Sequence, residues 1–220
     1  MASRKVLVSV SLLASSNPNF VAAARIAKAA GADLLHVDVM DGDFVPRVAY
    51  TAGAVRKLKA ARLPIEVHLM VNNPAKLVSR FAKAGAKRIC FHAEAQQAGL
   101  LKTIAAVRKA GCKAGVAINP ATPVAALPDA VLRNADFIMV MSVAPGWSGQ
   151  PFNAATPSRL RQLQARLRKL KLNTQVEVDG GVTDLTAPAC VAAGATVLGV
   201  GSAFYRSTTP RKLVKFLKAL

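Results

Sequence analysis

Residues 36–42, His-Val-Asp-Val-Met-Asp-Gly, place groups capable of chemistry on a segment that is otherwise typical of a buried strand. The segment follows two leucines and ends at a glycine, a pattern that indicates a strand running into a turn. Because alternate residues of a strand share a face, His36, Asp38 and Met40 are predicted to point the same way. Unpaired buried charge is costly, so this pattern indicates either a hydrogen-bonded polar network or a site for metal binding or proton transfer.

The elements that position this segment follow from the hydrophobic pattern. Short β-branched runs alternate along the chain with longer segments rich in alanine, leucine and lysine. The predicted strands cover residues 5–11, 33–39, 65–70, 87–92, 113–118, 136–142, 175–179 and 196–200. The predicted helices cover residues 19–30, 52–61, 74–84, 97–110, 124–132, 156–171 and 184–193, and a last helix ends at residue 220.

Glycine joints divide the chain into repeating units. Four Ala-Gly-Ala or Ala-Gly-Cys joints occur at residues 30–32, 84–86, 110–112 and 193–195. A glycine there ends a helix before the next strand begins. Eight strand–helix units predict an α/β fold, a (β/α)8 TIM barrel that forms a single catalytic domain over residues 1–220, with a doubly wound sheet as the alternative.

Polar residues collect at the predicted strand ends, where the functional residues of such a barrel lie. Two histidines of the three in the chain and two carboxylates are expected around one rim. They are His36, His68, Asp38 and Asp179. Two imidazoles and two carboxylates suit one divalent ion per chain, such as Zn²⁺, Fe²⁺ or Mn²⁺. A single strand histidine is more often structural, but two on neighbouring strands favour a site.

Glycine-containing loops follow the last three predicted strands. They are Gly146-Trp147-Ser148-Gly149, Gly180-Gly181 and Gly201-Ser202. Glycine lets backbone amides approach an anion closely, and the loops after the last two strands are the usual phosphate site of a barrel. A lone glycine pair is more often only a turn, but three such loops in succession predict a phosphate-binding wall.

The composition is strongly basic, with 30 Lys and Arg against 11 Asp and Glu and a net charge of +19. This excess fits nucleic-acid binding, steering of an anionic substrate, or a solvated basic exterior. The basic residues are spread over helical segments without interleaved aromatics, so we favour the solvated exterior and do not expect a nucleic-acid partner.

No signal for a membrane or for secretion is found. No apolar run is long enough to span a bilayer, and residues 1–10 do not resemble a signal peptide. The three cysteines, Cys90, Cys112 and Cys190, lack disulfide-scaffold or zinc-ribbon spacing. We therefore expect reduced thiols and a cytoplasmic location.

Six segments match the motifs of one known family. They are HVDVMDGDFVP at 36–46, EVHLMVNNP at 66–74, AGVAINPATP at 114–123, VMSVAPGWSGQPF at 140–152, VEVDGG at 176–181 and GSAF at 201–204. On these motifs the sequence closely resembles the ribulose-phosphate 3-epimerase family over nearly the whole chain. The family interconverts D-ribulose 5-phosphate and D-xylulose 5-phosphate by inverting C3, a reaction of pentose phosphate metabolism.

The resemblance implies roles for individual residues. His36, His68, Asp38 and Asp179 match the ligands of one metal ion, which stabilises the enediolate intermediate. Asp38 and Asp179 also match the acid/base pair that moves protons on opposite faces, as inversion requires. Substrate contacts are implied for Ser11, His68, Met40, Met70, Met141, Gly146, Trp147, Ser148, Gly149, Gly180, Gly181, Gly201 and Ser202. The three methionines are equally well explained as core filling. The family also implies a homo-oligomer, either a dimer or a hexamer.

Three alternatives differ in substrate or in function. An allulose-6-phosphate 3-epimerase performs the same chemistry on a longer sugar. A hexulose-phosphate synthase uses an Asp-x-Lys-x-x-Asp pattern, and residues 36–41 contain no lysine. A non-catalytic basic binding protein on a barrel scaffold leaves the four ligand-type residues unexplained.

Overall fold

Eight parallel strands close into a barrel in the computed structural model, which describes residues 5–95 and 99–220. The barrel strands are β1 (Leu7–Ser11), β2 (Leu34–Asp41), β4 (Ile65–Met70), β5 (Ala86–His92), β6 (Lys113–Ile118), β7 (Phe137–Met141), β8 (Gln175–Asp179) and β9 (Val197–Val200). Each strand pairs with its neighbours in sequence order, and β1 pairs with both β9 and β2, which closes the barrel. A two-residue strand, β3 (Val48–Ala49), adds an antiparallel pair at the end of β2.

Helices cover the outside of the barrel. They are α1 (Phe20–Ala30), α2 (Ala52–Leu58), α3 (Pro74–Ala84), α4 (Leu100–Lys109), α5 (Asp129–Asn134), α6 (Thr156–Lys169), α7 (Ala187–Ala192), α8 (Ser202–Arg206) and α9 (Pro210–Lys218). Among the helices in the described ranges, none has both the length and the apolar character needed to cross a bilayer.

The predicted (β/α)8 barrel is confirmed, and each predicted strand overlaps an observed one. Two of the details that differ are a short strand and the last helix. The strand β3 was not predicted, because two residues show no alternation. The predicted last helix is two helices, α8 and α9, since extended Ser207 and then Pro210 separate them. Residues 1–4 of the predicted domain and residues 97 and 98 of the predicted helix 97–110 lie outside the described residues.

Local sequence signals explain the helix boundaries. The side chain of Asn19 caps α1 by accepting a hydrogen bond from the Ala22 amide at 3.1 Å. The helix ends at Gly31, whose φ of +93° is a left-handed conformation that glycine adopts without strain. The glycine joint at Gly85 ends α3 in the same way.

The barrel strands separate two buried regions, one between the strands and the helices and one inside the barrel. Residues such as Val37 and Val39 point outward into the main apolar core between strands and helices. The inward face carries a smaller apolar cluster of Cys90, Ala117, Phe137, Met139 and Met141. Around that cluster, the inward positions of β2, β4, β5 and β8 carry buried charged residues, so one sector of the barrel interior is polar.

Candidate active site

Strand register brings four ligand-type side chains to the carboxyl end of the barrel. On β2, Asp38 lies opposite His68 of β4, and His36 lies two residues earlier on the same inward face. Asp179 is the last residue of β8. One ligand atom from each of the four side chains lies within 4.8 Å of the others. The structure therefore brings together all four residues that the sequence singled out.

Asp38 is at the centre of this cluster. Its Oδ1 lies 3.1 Å from His36 Nε2 and 3.3 Å from His68 Nδ1. Its Oδ2 accepts a hydrogen bond of 2.9 Å from the Ser11 hydroxyl, so this serine, which was predicted to contact substrate, also orients the carboxylate. The Oδ2 atom of Asp179 lies 3.9 Å from His36 Nε2.

The charges in the cluster shift one another's pKa values. Burial alone would lower the pKa of His36, but the charges of Asp38 and Asp179 raise that pKa well above its usual value. Burial favours a higher pKa for Asp38, whereas the charge of His36 holds the pKa below its usual range. Burial raises the pKa of Asp179, and the charge of Asp38 adds to the shift. The carboxylates therefore favour a positive charge at the centre of the cluster.

The two histidines are held from outside the cluster. His36 Nδ1 lies 3.0 Å from Glu66 Oε1, and His68 Nε2 lies 2.8 Å from His92 Nε2. Burial lowers the pKa of His68, which favours the neutral ring. One nitrogen of each ring thus faces the shared centre while the other is engaged elsewhere. Two imidazole nitrogens and two carboxylates in this arrangement fit a divalent transition-metal ion.

A buried ionic network lies one layer deeper in the barrel. The Arg88 guanidinium donates to Glu66 Oε2, and it donates to Glu177 Oε2 at 3.0 Å and to Gln175 Oε1 at 2.8 Å. It also lies 3.8 Å from the centroid of the Phe137 ring. Glu66 contacts both Arg88 and His36, so Arg88 holds the side chain that positions His36.

A cavity of about 330 Å³ opens over the cluster. The predicted site residues that line it are Ser11, Asp38, Met70, Met141, Gly146, Trp147, Ser148, Gly149, Asp179, Gly180, Gly181, Gly201 and Ser202. His36, His68 and Met40 are not among the described lining residues. Both histidines are fully buried behind Asp38, and Met40 packs in a small apolar cluster with Met70 and Val45.

The glycine loops form one wall of the cavity. Gly180 and Gly181 have φ angles of +99° and +64°, which L side chains rarely adopt. A Cβ on Gly181 would stand 2.7 Å from the Phe152 backbone, and one on Gly180 would stand 2.4 Å from the Val143 side chain. Glycine is therefore required by both the turn and the packing, and it leaves backbone amides accessible to an anion.

Two further residues of the cavity were missed from the sequence. A Cβ on Gly199 of β9 would stand 2.7 Å from Asp179 Oδ1, so this glycine makes room for the carboxylate. A glycine inside a strand was the available signal. Arg206 is the only basic residue among the described residues of the lining. No signal distinguished it from the other 29 Lys and Arg residues of the chain.

Comparison with known proteins identifies the same family as the six sequence motifs. The sequence model of the ribulose-phosphate 3 epimerase family matches residues 7–205. The chain belongs to that family. The resemblance predicted from the six motifs is confirmed, and with it the prediction that the chain is an isomerase.

Named relatives and one solved structure extend this result. Ribulose-phosphate 3-epimerase of Treponema pallidum is 41% identical over 189 residues, covering 86% of each chain. The enzyme of the same name from Escherichia coli strain K12 is 35% identical over 218 residues, 98% of this chain and 96% of the relative. A crystal structure of 3-hexulose-6-phosphate synthase superimposes with a TM-score of 0.67 at 21% identity, covering 98% of each chain, and shows the shared fold alone.

Proposed function

We propose that the protein interconverts D-ribulose 5-phosphate and D-xylulose 5-phosphate by inverting C3, with one divalent ion bound per chain. The proposed ligands are His36, Asp38, His68 and Asp179. The observation that carries the proposal is the cluster of two imidazoles and two carboxylates beside a glycine-lined cavity. The names of the relatives support the pentulose phosphate as substrate.

Asp38 and Asp179 are the proposed proton carriers. Both line the cavity, and they come from β2 and β8, which two other strands separate around the barrel. They therefore reach the cavity from different directions. One carboxylate removes the C3 proton on one face of the sugar, and the other delivers a proton to the opposite face of the planar enediolate.

When bound by these four side chains, a divalent ion would supply positive charge beside the oxygens of the reacting sugar. We expect purified protein to hold about one divalent ion per chain, because four donors of the right type converge on one point. Elemental analysis of the purified protein gives the identity of the bound ion and its amount per chain. Removing the ion with a chelator is expected to abolish epimerisation, and adding back Zn²⁺, Fe²⁺ or Mn²⁺ separately identifies the ions that restore it. Full activity in metal-free protein would contradict the proposal.

Arg206 is proposed to bind the substrate phosphate at the end of the cavity formed by the glycine loops. Its Nη2 and the Ser202 hydroxyl both lie within 4 Å of the point where a Cβ on Gly149 would stand. No described carboxylate forms an ion pair with Arg206, so its charge is available to a ligand.

Replacing this guanidinium by an amide, Arg206→Gln, is expected to raise KM roughly tenfold with little change in kcat, because the lost contact is a charge-assisted hydrogen bond far from C3. The inhibition constant of inorganic phosphate is expected to rise in parallel. Arg211→Gln is the matched control, since Arg211 is exposed on α9 and outside the cavity lining. Equal effects in the two variants would indicate general charge steering instead of a contact.

The substrate is tested by comparing kcat/KM for D-ribulose 5-phosphate and D-allulose 6-phosphate on one metal-analysed sample. We expect the pentulose phosphate to be preferred. The hexulose phosphate is the second candidate, because a wall of glycine loops sets the position of the phosphate and not the sugar length. A strong preference for the six-carbon sugar would replace the first candidate by the second.

We also propose that the chain acts as a homo-oligomer, a dimer or a hexamer, and that it works in the cytoplasm as a single domain over residues 1–220. The oligomer is proposed only because the resemblance to the family implies one. The cysteines, all buried free thiols, support a reducing compartment.

A further inference from the structure

Two loops from opposite sides of the barrel meet over its carboxyl end. One follows β2 and contains Arg47, and the other, residues 143–152, follows β7 and contains Trp147. In the closed barrel, β4, β5 and β6 lie between β2 and β7 on one side, and β1, β9 and β8 lie between them on the other. Every residue of the β7 loop lines the cavity. The two loops can therefore touch only across the mouth of the barrel, above the cavity.

Arg47 makes the polar contact between the two loops. Its Cζ atom lies 5.1 Å from the centroid of the Trp147 ring, which is a cation–π arrangement. Its Nη1 atom lies 3.5 Å from the Gly146 carbonyl oxygen, at the outer limit of a hydrogen bond. Val45 adds an apolar contact, because a Cβ on Gly146 would stand 3.3 Å from Val45 Cβ. None of the described carboxylates forms an ion pair with Arg47, so the β7 loop is the main partner of its guanidinium.

The β7 loop connects this contact to the phosphate end of the cavity. The Gln150 side chain donates to the Ala144 carbonyl oxygen at 2.7 Å and to that of Trp147 at 2.9 Å, so the loop forms one compact turn. Gly149 belongs to the same turn, and a Cβ on it would stand 3.8 Å from Arg206 Nη2. A displacement of the Trp147 side of the turn therefore also moves Gly149 relative to Arg206.

We propose that Arg47 is a positioning residue, which holds the β7 loop across the mouth of the cavity and so keeps Gly149 beside the substrate phosphate. The inference rests on the proposed function, because that function places the phosphate at Arg206. It assigns a role to a residue that is not among the described lining of the cavity. Trp147 is 55% exposed, so burial in the core does not fix its ring, and the contact with Arg47 is left to do so.

Trp147 reports on this contact directly, because it is the only tryptophan in the chain. Arg47→Gln removes the cation that lies over the indole ring. We expect acrylamide to quench the fluorescence of Trp147 more strongly in this variant, with the emission shifted to longer wavelength, since the released ring gains contact with water. Arg80→Gln is the matched control, because it removes an exposed charge from α3 outside the cavity lining, and its quenching is expected to equal that of the wild type.

A second set of measurements links the contact to the phosphate site. The dissociation constant of inorganic phosphate is expected to rise roughly two- to fivefold in Arg47→Gln, the usual size of an exposed cation–π contact. Linkage then requires phosphate to reduce the quenching of Trp147 in the wild type. KM for ribulose 5-phosphate is expected to rise by the same factor with kcat nearly unchanged, because the proton carriers are untouched. Trp147→Leu is expected to have the same effect, and the double variant no larger one, since the two side chains act through one contact.

Stronger quenching and weaker phosphate binding in Arg47→Gln, with non-additive effects in the double variant, support the inference. Unchanged quenching in Arg47→Gln, additive effects, or a loss of kcat at unchanged KM overturns it. Phosphate that leaves the quenching of wild-type Trp147 unaltered also overturns it, and this measurement needs no variant to fold. The proposed function fails separately, if the wild type binds phosphate but does not epimerise ribulose 5-phosphate, and the quenching and phosphate measurements then still decide the role of Arg47.

Discussion

Replacing Asp179 by asparagine is expected to lower kcat for C3 inversion by roughly 10³-fold or more, while the protein remains folded. An amide keeps the size of the carboxylate and loses its ability to accept and return a proton. Asp38→Asn is expected to lower kcat by a similar factor, and it also weakens the contacts that this carboxylate makes with Ser11 and His36. Turnover at saturating metal measures the effect, and circular dichroism with metal analysis checks that each variant stays folded and loaded.

Proton exchange with solvent separates the two roles. If Asp38 and Asp179 serve opposite faces, each variant keeps one of the two proton transfers. In deuterium oxide, each single variant is then expected to incorporate deuterium at C3 of only one of the two epimers, and the two variants are expected to be complementary. Full inversion in either variant would contradict the two-carboxylate mechanism. Exchange with the same epimer in both variants would also contradict it.

Arg88→Met is expected to destabilise the protein by about 3–5 kcal/mol, because it leaves two buried carboxylates without their shared cation. Arg88 is only 4% exposed, and it is hydrogen-bonded to Glu66 and Glu177, which are fully buried. Burial and the Glu66 charge already raise the pKa of Glu177 well above its usual value, an effect that Arg88 opposes. Urea denaturation, analysed with the same m value for both proteins, measures the loss in free energy of unfolding.

Arg108→Met is the matched control for that substitution. Arg108 pairs with Asp136 at 2.9 Å, but its side chain is 48% exposed, so removing it is expected to cost at most about 1 kcal/mol. The double variant Arg88→Met with Glu177→Gln is expected to recover part of the stability, because one of the two carboxylates is then neutral. Equal losses for Arg88 and Arg108 would show that the buried network has no special role.

Much of the fold follows from local signals. The cap at Asn19 and the glycine joint at Gly31 mark both ends of α1, and both operate within one helical turn. The strand β3 and the break between α8 and α9 were not predicted. A two-residue strand exists only because the end of β2 is available to pair with it.

The candidate site, like the fold, could be predicted from the sequence only in part. The four ligand-type residues stood out because histidine and carboxylate on apolar strands require a partner. The residues that hold these four side chains could not be predicted, because Arg88 and Glu177, which pair in the structure, are 89 residues apart in the sequence. Nothing in the sequence distinguishes Arg206 from the other Lys and Arg residues, and only the cavity lining does so. Gly199 carried only the weak signal of a glycine within a strand.

Periodicity, the glycine joints and the motifs together determine that this chain forms a (β/α)8 barrel of the epimerase family, with two histidines and two aspartates at one rim. The register of the closed barrel decides the rest. It places Asp38 between His36 and His68, directs the second nitrogen of each ring to Glu66 or His92, and puts a charged network beneath them. Spacing along one strand specifies which face a side chain occupies, whereas its neighbours on that face come from other strands, and only barrel closure brings those strands together.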